Sequence, residues 1–141
     1  EVLLILVPRH PERFDKVAQL VKKRGFRFHR RSDMGAIDTA CQIYIGDSMG
    51  ELILFYAAAD VAFVGGSLIP VGGHNVLEPA SLGIPVLIGP HRFNFAQITS
   101  ELIRCGGAKE VADNTMLTTA WQSLLLDVSR RDEMGQAGKL M

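Results

Sequence analysis

Two cysteines, Cys41 and Cys105, are too few for a disulfide framework, and neither sits in a Cys-x-x-Cys motif. Both lie in apolar segments, which suggests buried reduced thiols in a cytosolic protein, with a disulfide still open. Net charge is also missing: fifteen Lys and Arg balance fifteen Asp and Glu. There is therefore no overall basic field to draw nucleic acid, and any anion must be held locally. No apolar run approaches the length of a membrane span and no signal-peptide pattern opens the chain, so this piece reads as soluble. Histidines stand at positions 10, 29, 74 and 91 without paired metal spacing, so no metal is expected. The first strand is not followed by Gly-x-Gly-x-x-Gly, and no Walker loop or Gly-x-Ser-x-Gly elbow occurs. These absences disfavour a nicotinamide dehydrogenase, a P-loop NTPase and a triad hydrolase. Repeats, low-complexity tracts and linkers are lacking too.

What is present is alternation. At 141 residues the chain is one domain's worth, with apolar content enough for a single core. Apolar runs at residues 2–7, 26–29, 42–45, 61–64, 85–88 and 108–111 predict strands. Helical spacing after Pro11 (Phe14, Val17, Ala18, Leu20, Val21) predicts a helix ended by Gly25. Further helices are expected at residues 52–59, up to Leu82, at 96–103 and at 117–127, with weaker helical character from Arg130 to Met141. Strands alternating with amphipathic helices imply right-handed βαβ units and an α/β fold: a Rossmann-like, doubly wound parallel sheet covered on both faces. Ligands of such sheets bind beyond the carboxyl ends of the strands. The loops at residues 8–11, 46–51, 65–78 and 89–94 each follow a strand and are expected to share that edge. The chain begins inside a strand, at Glu1-Val2-Leu3-Leu4-Ile5, without an initiator Met and stops at Met141 within a helical pattern, so it reads as an excised part of a longer protein.

The richest of these loops is Gly65-Gly66-Ser67-Leu68-Ile69-Pro70-Val71-Gly72-Gly73-His74-Asn75-Val76-Leu77-Glu78-Pro79. Its glycines let the backbone turn sharply and approach a ligand, and Asn75 with Glu78 has helix N-terminal spacing. Two readings stand: an anion-binding loop with Glu78 reaching a hydroxyl-bearing ring, or a plain turn closed by an Asn75/Glu78 capping box. Pro79 biases Glu78 away from helical dihedrals. Arg9 and His10 follow the first strand directly, and a guanidinium fork suits a phosphate, whereas His10 could equally be a structural hydrogen bonder. Ser48 and Glu51 repeat the capping-box spacing before a helix whose free N–H groups favour an anion, or form an ordinary strand-to-helix turn. His74 reads as a loop donor. Asp47 and Asp60 read as solvent-facing or helix-terminal carboxylates, and His91-Arg92 as a weak cleft signal.

Three segments together, Pro8-Arg9-His10, Gly46-Asp47-Ser48-Met49-Gly50-Glu51-Leu52 and Gly65-Gly66-Ser67 through Glu78-Pro79-Ala80, resemble the Kdo transferases of lipopolysaccharide synthesis over most of the chain. Those enzymes have the two-domain GT-B fold and move 3-deoxy-D-manno-octulosonic acid (Kdo) from CMP-Kdo onto a lipid A precursor with inversion. The resemblance implies that residues 1–141 are the C-terminal, donor-binding domain. It implies CMP contacts at Pro8, Arg9, Met49, Gly50, Glu51, Asn75, Val76, Leu77 and Glu78, with Glu78 on the ribose hydroxyls and with His10, Ser48, Gly72, Gly73 and His74 as further candidates. No cofactor is expected beyond the donor substrate. The catalytic base, acceptor site and membrane-associating surface are expected in an N-terminal domain absent here, the closing crossover helix is cut short, and the full-length enzyme is placed at the cytoplasmic face of the inner membrane. The alternatives are another GT-B glycosyltransferase or a nucleotide-sugar epimerase with a uridine donor, or a nucleotide-binding or regulatory module without chemistry.

Overall fold

The structure, a computed structural model, describes residues 2–141, so Glu1 and the start of the first expected strand lie outside it. The chain divides into two compact units, one reaching Phe55 and the other running from Tyr56 to Met141.

The first unit is built on a parallel three-stranded sheet of β1 (Leu4–Leu6), β2 (Phe28–Arg30) and β3 (Ile43–Ile45), with β3 in the centre. Helix α1 (Phe14–Lys23) makes the crossover from β1 to β2, after a 3₁₀ turn at Pro11–Arg13. Its buried face follows the stripe the sequence spells except at Leu20, which is 53% exposed. Ala18 and Val21 are buried against Ile43 and Ile45, with Leu4, Leu6, Val17 and Phe28 packed around them. Gly25 ends the helix as expected: at φ +81° it lets its own N–H reach Lys22 O (3.0 Å) while Phe26 N–H reaches Val21 O (3.3 Å). The other side of β3 carries aromatics, Tyr44 lying between His29 (5.9 Å) and Phe55 (6.1 Å).

The second unit holds β4 (Ala62–Val64), β5 (Val86–Ile88) and β6 (Ala108–Glu110), again parallel and with β5 central. Strand β5 is buried along its whole length, and its alternation divides the core in two. Val86 and Ile88 pack with Ala80 of α3 (Leu77–Ser81) and Leu102 of α4 (Ala96–Cys105). Leu87 packs with Leu117, Ala120 and Leu124 of α5 (Asn114–Leu126) and Met134 of α6 (Val128–Lys139). Helices on both faces of a parallel sheet are the Rossmann-like arrangement expected. Asp113 and Asp127 cap α5 and α6 by accepting from Met116 N–H (2.9 Å) and Arg130 N–H (3.0 Å). Helix α2 (Leu52–Ala58) spans the point where the two units divide.

Several expectations change. The six strands form two three-stranded ladders, so the strand-following loops leave two carboxyl edges: residues 7–10 and 46–51 at the first sheet, 65–76 and 89–94 at the second. The last helix is not weak, since α6 is regular for twelve residues. Its small residues let it approach closely: a Cβ on Gly135 would stand 2.0 Å from Gly83 O, and one on Gly107 would stand 2.6 Å from Gly138 Cα. The cysteines are free, but they are not buried thiols. Cys105 is exposed and Cys41 half-buried, because each falls at the end of its apolar segment rather than within it.

Candidate functional site

In the first unit, Pro8, Arg9 and His10 leave β1 at the carboxyl edge of its sheet. Pro8 is half-buried, whereas Arg9 and His10 are exposed. His10 starts the 3₁₀ turn through its carbonyl, which accepts from Arg13 N–H (2.9 Å); its ring plays no capping part. The Arg9 guanidinium has no carboxylate or carbonyl partner among the described residues. An unpaired guanidinium at the carboxyl end of a half-buried strand is free to take a phosphate.

The neighbouring loop, after β3, is held from below and from the side. Gly46 N–H donates to Leu6 O (2.9 Å), and the Phe55 ring lies 2.7 Å from where a Cβ on Gly46 would be. Asp47 is not solvent-facing. Only 8% exposed, it accepts from Arg30 Nε (2.7 Å), Ser32 N–H (2.8 Å) and Ser32 Oγ (2.6 Å). Burial alone would raise its pKa, yet the hydrogen bonds from Ser32 and Arg30 outweigh burial and hold the carboxyl below the usual aspartate range. Ser48 Oγ donates to Glu51 Oε1 (2.5 Å), and Arg31 reaches both carboxylate oxygens of Glu51 through Nε and Nη2 at 3.2 Å each. These bonds, Ser48 first and Arg31 next, lower the Glu51 pKa. The Ser48–Glu51 pairing is thus side chain to side chain, not the expected reciprocal backbone cap. Met49 is 64% exposed, and Gly50 turns the chain at φ +80°. Met49, Gly50 and Glu51 keep their backbone N–H groups uncommitted among the described residues. Helix α2 has only seven residues, so its dipole is slight and these main-chain donors are what the turn offers an anion.

In the second unit, the glycine run leaves β4 and folds back on itself, Gly73 N–H donating to Gly66 O (2.8 Å). Ser67, fully buried, is the pin. Its hydroxyl donates to Val64 O (2.6 Å) and accepts from Gly89 N–H (2.9 Å), while its carbonyl accepts from His91 N–H (2.8 Å). The strand ends of β4 and β5 are thereby tied together. Gly72 O accepts from Asn94 N–H (3.1 Å), and the Phe93 ring occupies the space a Gly72 side chain would need, 2.6 Å from the Cβ position. His74 is half-buried with its ring against Gly66.

Asn75 Oδ1 accepts from Leu77 N–H (2.9 Å), two residues on, which is an Asx turn leading into α3 and not a helix cap, since the N-cap position is Val76 and carries no side-chain bond. The expected capping box is therefore not formed. Glu78 is half-buried, and its carboxylate takes no hydrogen bond or ion pair among the described residues. Pro79 leaves Glu78 helical, contrary to expectation, because it falls in the first turn of α3, where its missing N–H would have had no partner. Val76 is fully buried in the core beside Ala80 and Val86, so its side chain cannot touch a ligand and only its backbone is available. Leu77 is partly exposed. The His91-Arg92 signal resolves into an ion pair of Arg92 with Glu110.

Sequence reading missed Arg30, Arg31, Ser32 and Ser67. The adjacent arginines at the end of β2 are a legible signal for the first three, since a strand end places its polar residues beside the next strand's loop. Ser67 has the weaker one of a small hydroxyl residue three places after β4.

No protein-family model matches the chain. It is 48% identical over 138 residues to the 3-deoxy-D-manno-octulosonic acid transferase of Haemophilus influenzae, covering 97% of this chain and 32% of that protein. To the enzyme of the same name from Bordetella pertussis it is 41% identical over 139 residues, with the same two coverages. The chain thus spans about a third of the length of these curated relatives. Among solved structures, the C-terminal CMP-Kdo binding domain of WaaA from Acinetobacter baumannii superposes with a TM-score of 0.91 at 41% identity, over 95% of this chain and 70% of that one.

Proposed function

The chain belongs to the 3-deoxy-D-manno-octulosonic acid transferase family, and from that premise we propose that residues 1–141 are the C-terminal, donor-binding domain of an inverting GT-B glycosyltransferase. The whole enzyme moves Kdo from CMP-Kdo to a lipid A precursor, without metal or other cofactor, at the cytoplasmic face of the inner membrane. The acceptor site, the catalytic base and the membrane-associating surface belong to its N-terminal domain. For membrane contact this chain offers no helix long and apolar enough to cross a bilayer among the described residues. One observation carries the proposal: the likeness, across nearly the entire chain, to a domain whose name states CMP-Kdo binding.

The residues divide the work by chemistry. Arg9, unpaired and exposed behind Pro8, serves the phosphate with the main-chain donors of Met49, Gly50 and Glu51. As the bond between Kdo and phosphate breaks, CMP departs with added negative charge, and donors already in place stabilise it without reorganising. Glu78, a carboxylate with no partner of its own, accepts from the ribose hydroxyls, while Asn75, Leu77 and the backbone of Val76 shape the turn beside it. Gly72 and Gly73, packed against the loop at residues 91–94, hold the glycine run in shape and His74 is a loop donor; His10 and Ser48 support their neighbours.

The test is Arg9→Ala in the full-length enzyme. Losing a charge-assisted phosphate contact costs about 1.5 to 3 kcal/mol, so CMP affinity should fall about ten- to 150-fold, and turnover should fall with it. Arg9→Lys should recover only part, since an ammonium keeps the charge and loses the fork. Unchanged CMP affinity in a folded Arg9→Ala enzyme would remove Arg9 from the site.

A further inference from the structure

Two adjacent arginines at the end of β2 each hold a carboxylate of the loop that follows β3. Arg30 takes Asp47 at the start of the loop and Arg31 takes Glu51 at its end. The pairs differ in setting. The Asp47 carboxylate is 1% exposed and also bound by Ser32, a structural anchor, whereas Arg31 and Glu51 remain 42% and 25% exposed. Exposed pairs add little to global stability. What the second pair fixes is local: Glu51 follows Gly50, whose left-handed backbone is easily rearranged, and Glu51 O accepts from Leu54 N–H (3.0 Å) and Phe55 N–H (3.3 Å) to start α2.

Resting on the functional reading above, we infer that Arg31 is a positioning residue for the nucleotide turn. It acts through the Glu51 carboxylate to hold the N–H groups of Met49, Gly50 and Glu51 in the array that meets CMP. Glu51 therefore serves the nucleotide with its backbone, its carboxylate being occupied by Arg31 and Ser48. This changes what a Glu51 substitution means, since its effect travels through loop order and not through a lost ligand contact.

The experiment is a double-mutant cycle on this chain with Arg31→Ala, Glu51→Gln and the pair, read by CMP titration calorimetry, thermal unfolding and ligand-free amide spectra. Each single variant should weaken CMP about five- to tenfold, less than the loss of a direct charge-assisted phosphate contact, and the double variant no further than the weaker single. Both singles should shift the same ligand-free amides at Met49, Gly50 and Glu51, with little change in melting temperature. The charge exchange Arg31→Glu with Glu51→Arg should restore part of the affinity that Arg31→Glu alone loses. Multiplicative losses, or weakening by Glu51→Gln alone, would show the carboxylate on the ligand and overturn the inference. A lower melting temperature with unchanged CMP affinity would reduce the pair to a structural role and overturn it as well. If the unmodified chain binds no CMP, the functional reading fails by itself; the ligand-free amides still decide whether the two side chains order the turn.

Discussion

Asp47 and Glu78 show how far one residue type can diverge with setting. Asp47 is buried and triply hydrogen-bonded, so Asp47→Ala should destabilise the first unit by about 2 to 3 kcal/mol, as hydrogen bonds to a charged group are lost and Arg30 keeps only Asp15. Because its folded pKa lies below that of an unfolded aspartate, the stability it contributes is present in full above the unfolded value and is lost as pH falls through the folded one. Denaturant unfolding across the acid range should therefore show a loss in the natural chain that Asp47→Asn lacks. Glu78 has no such partners, and Glu78→Gln should leave stability nearly unchanged. It should weaken CMP much more than the 2′-deoxy analogue, as expected of a carboxylate that accepts from ribose hydroxyls. Equal losses for the two nucleotides in a folded variant would return Glu78 to a helix-start role. In sequence these acids look alike. The Asp47 network depends on β2 lying beside β3 between residues 15 to 17 positions apart in the chain, and local spacing does not encode that pairing.

Elements were the most legible part. Each expected strand and helix is present, because apolar periodicity reports burial directly: β5 reads as a continuous apolar run and is buried on both faces, and α1 reads as a stripe that is buried at Ala18 and Val21, with Leu20 left exposed. Boundaries were less so. Residues 2–7 look like one strand, but only Leu4–Leu6 has a ladder partner. The strength of α6 was hidden because its packing uses glycine, which propensity counts against a helix. Two substitutions test this scale. Gly135→Ala would set a methyl 2.0 Å from Gly83 O, and the overpacking should cost about 1 to 3 kcal/mol in chemical denaturation. Ser67→Ala would leave buried Gly89 N–H and Val64 O without their partner, at about 1 to 3 kcal/mol. Loosening the β4 and β5 loops in this way should also weaken CMP.

On the scale of the whole molecule, a donor-binding domain without its acceptor half should recognise the nucleotide and transfer nothing. Assayed with CMP-Kdo and a lipid A precursor, this chain should give no product, and adding the N-terminal domain should restore turnover. Turnover by the chain alone would place the base within it. The most direct test of the central claim is an amide chemical-shift titration of the ¹⁵N-labelled chain with CMP and, in parallel, UMP. CMP is expected to shift amides at Arg9, at Met49 to Glu51 and at Gly72 to Glu78, and UMP to shift them less at equal concentration. No response to CMP at those positions, or an equal response to both nucleotides, would contradict the assignment of this chain as a CMP-Kdo donor domain.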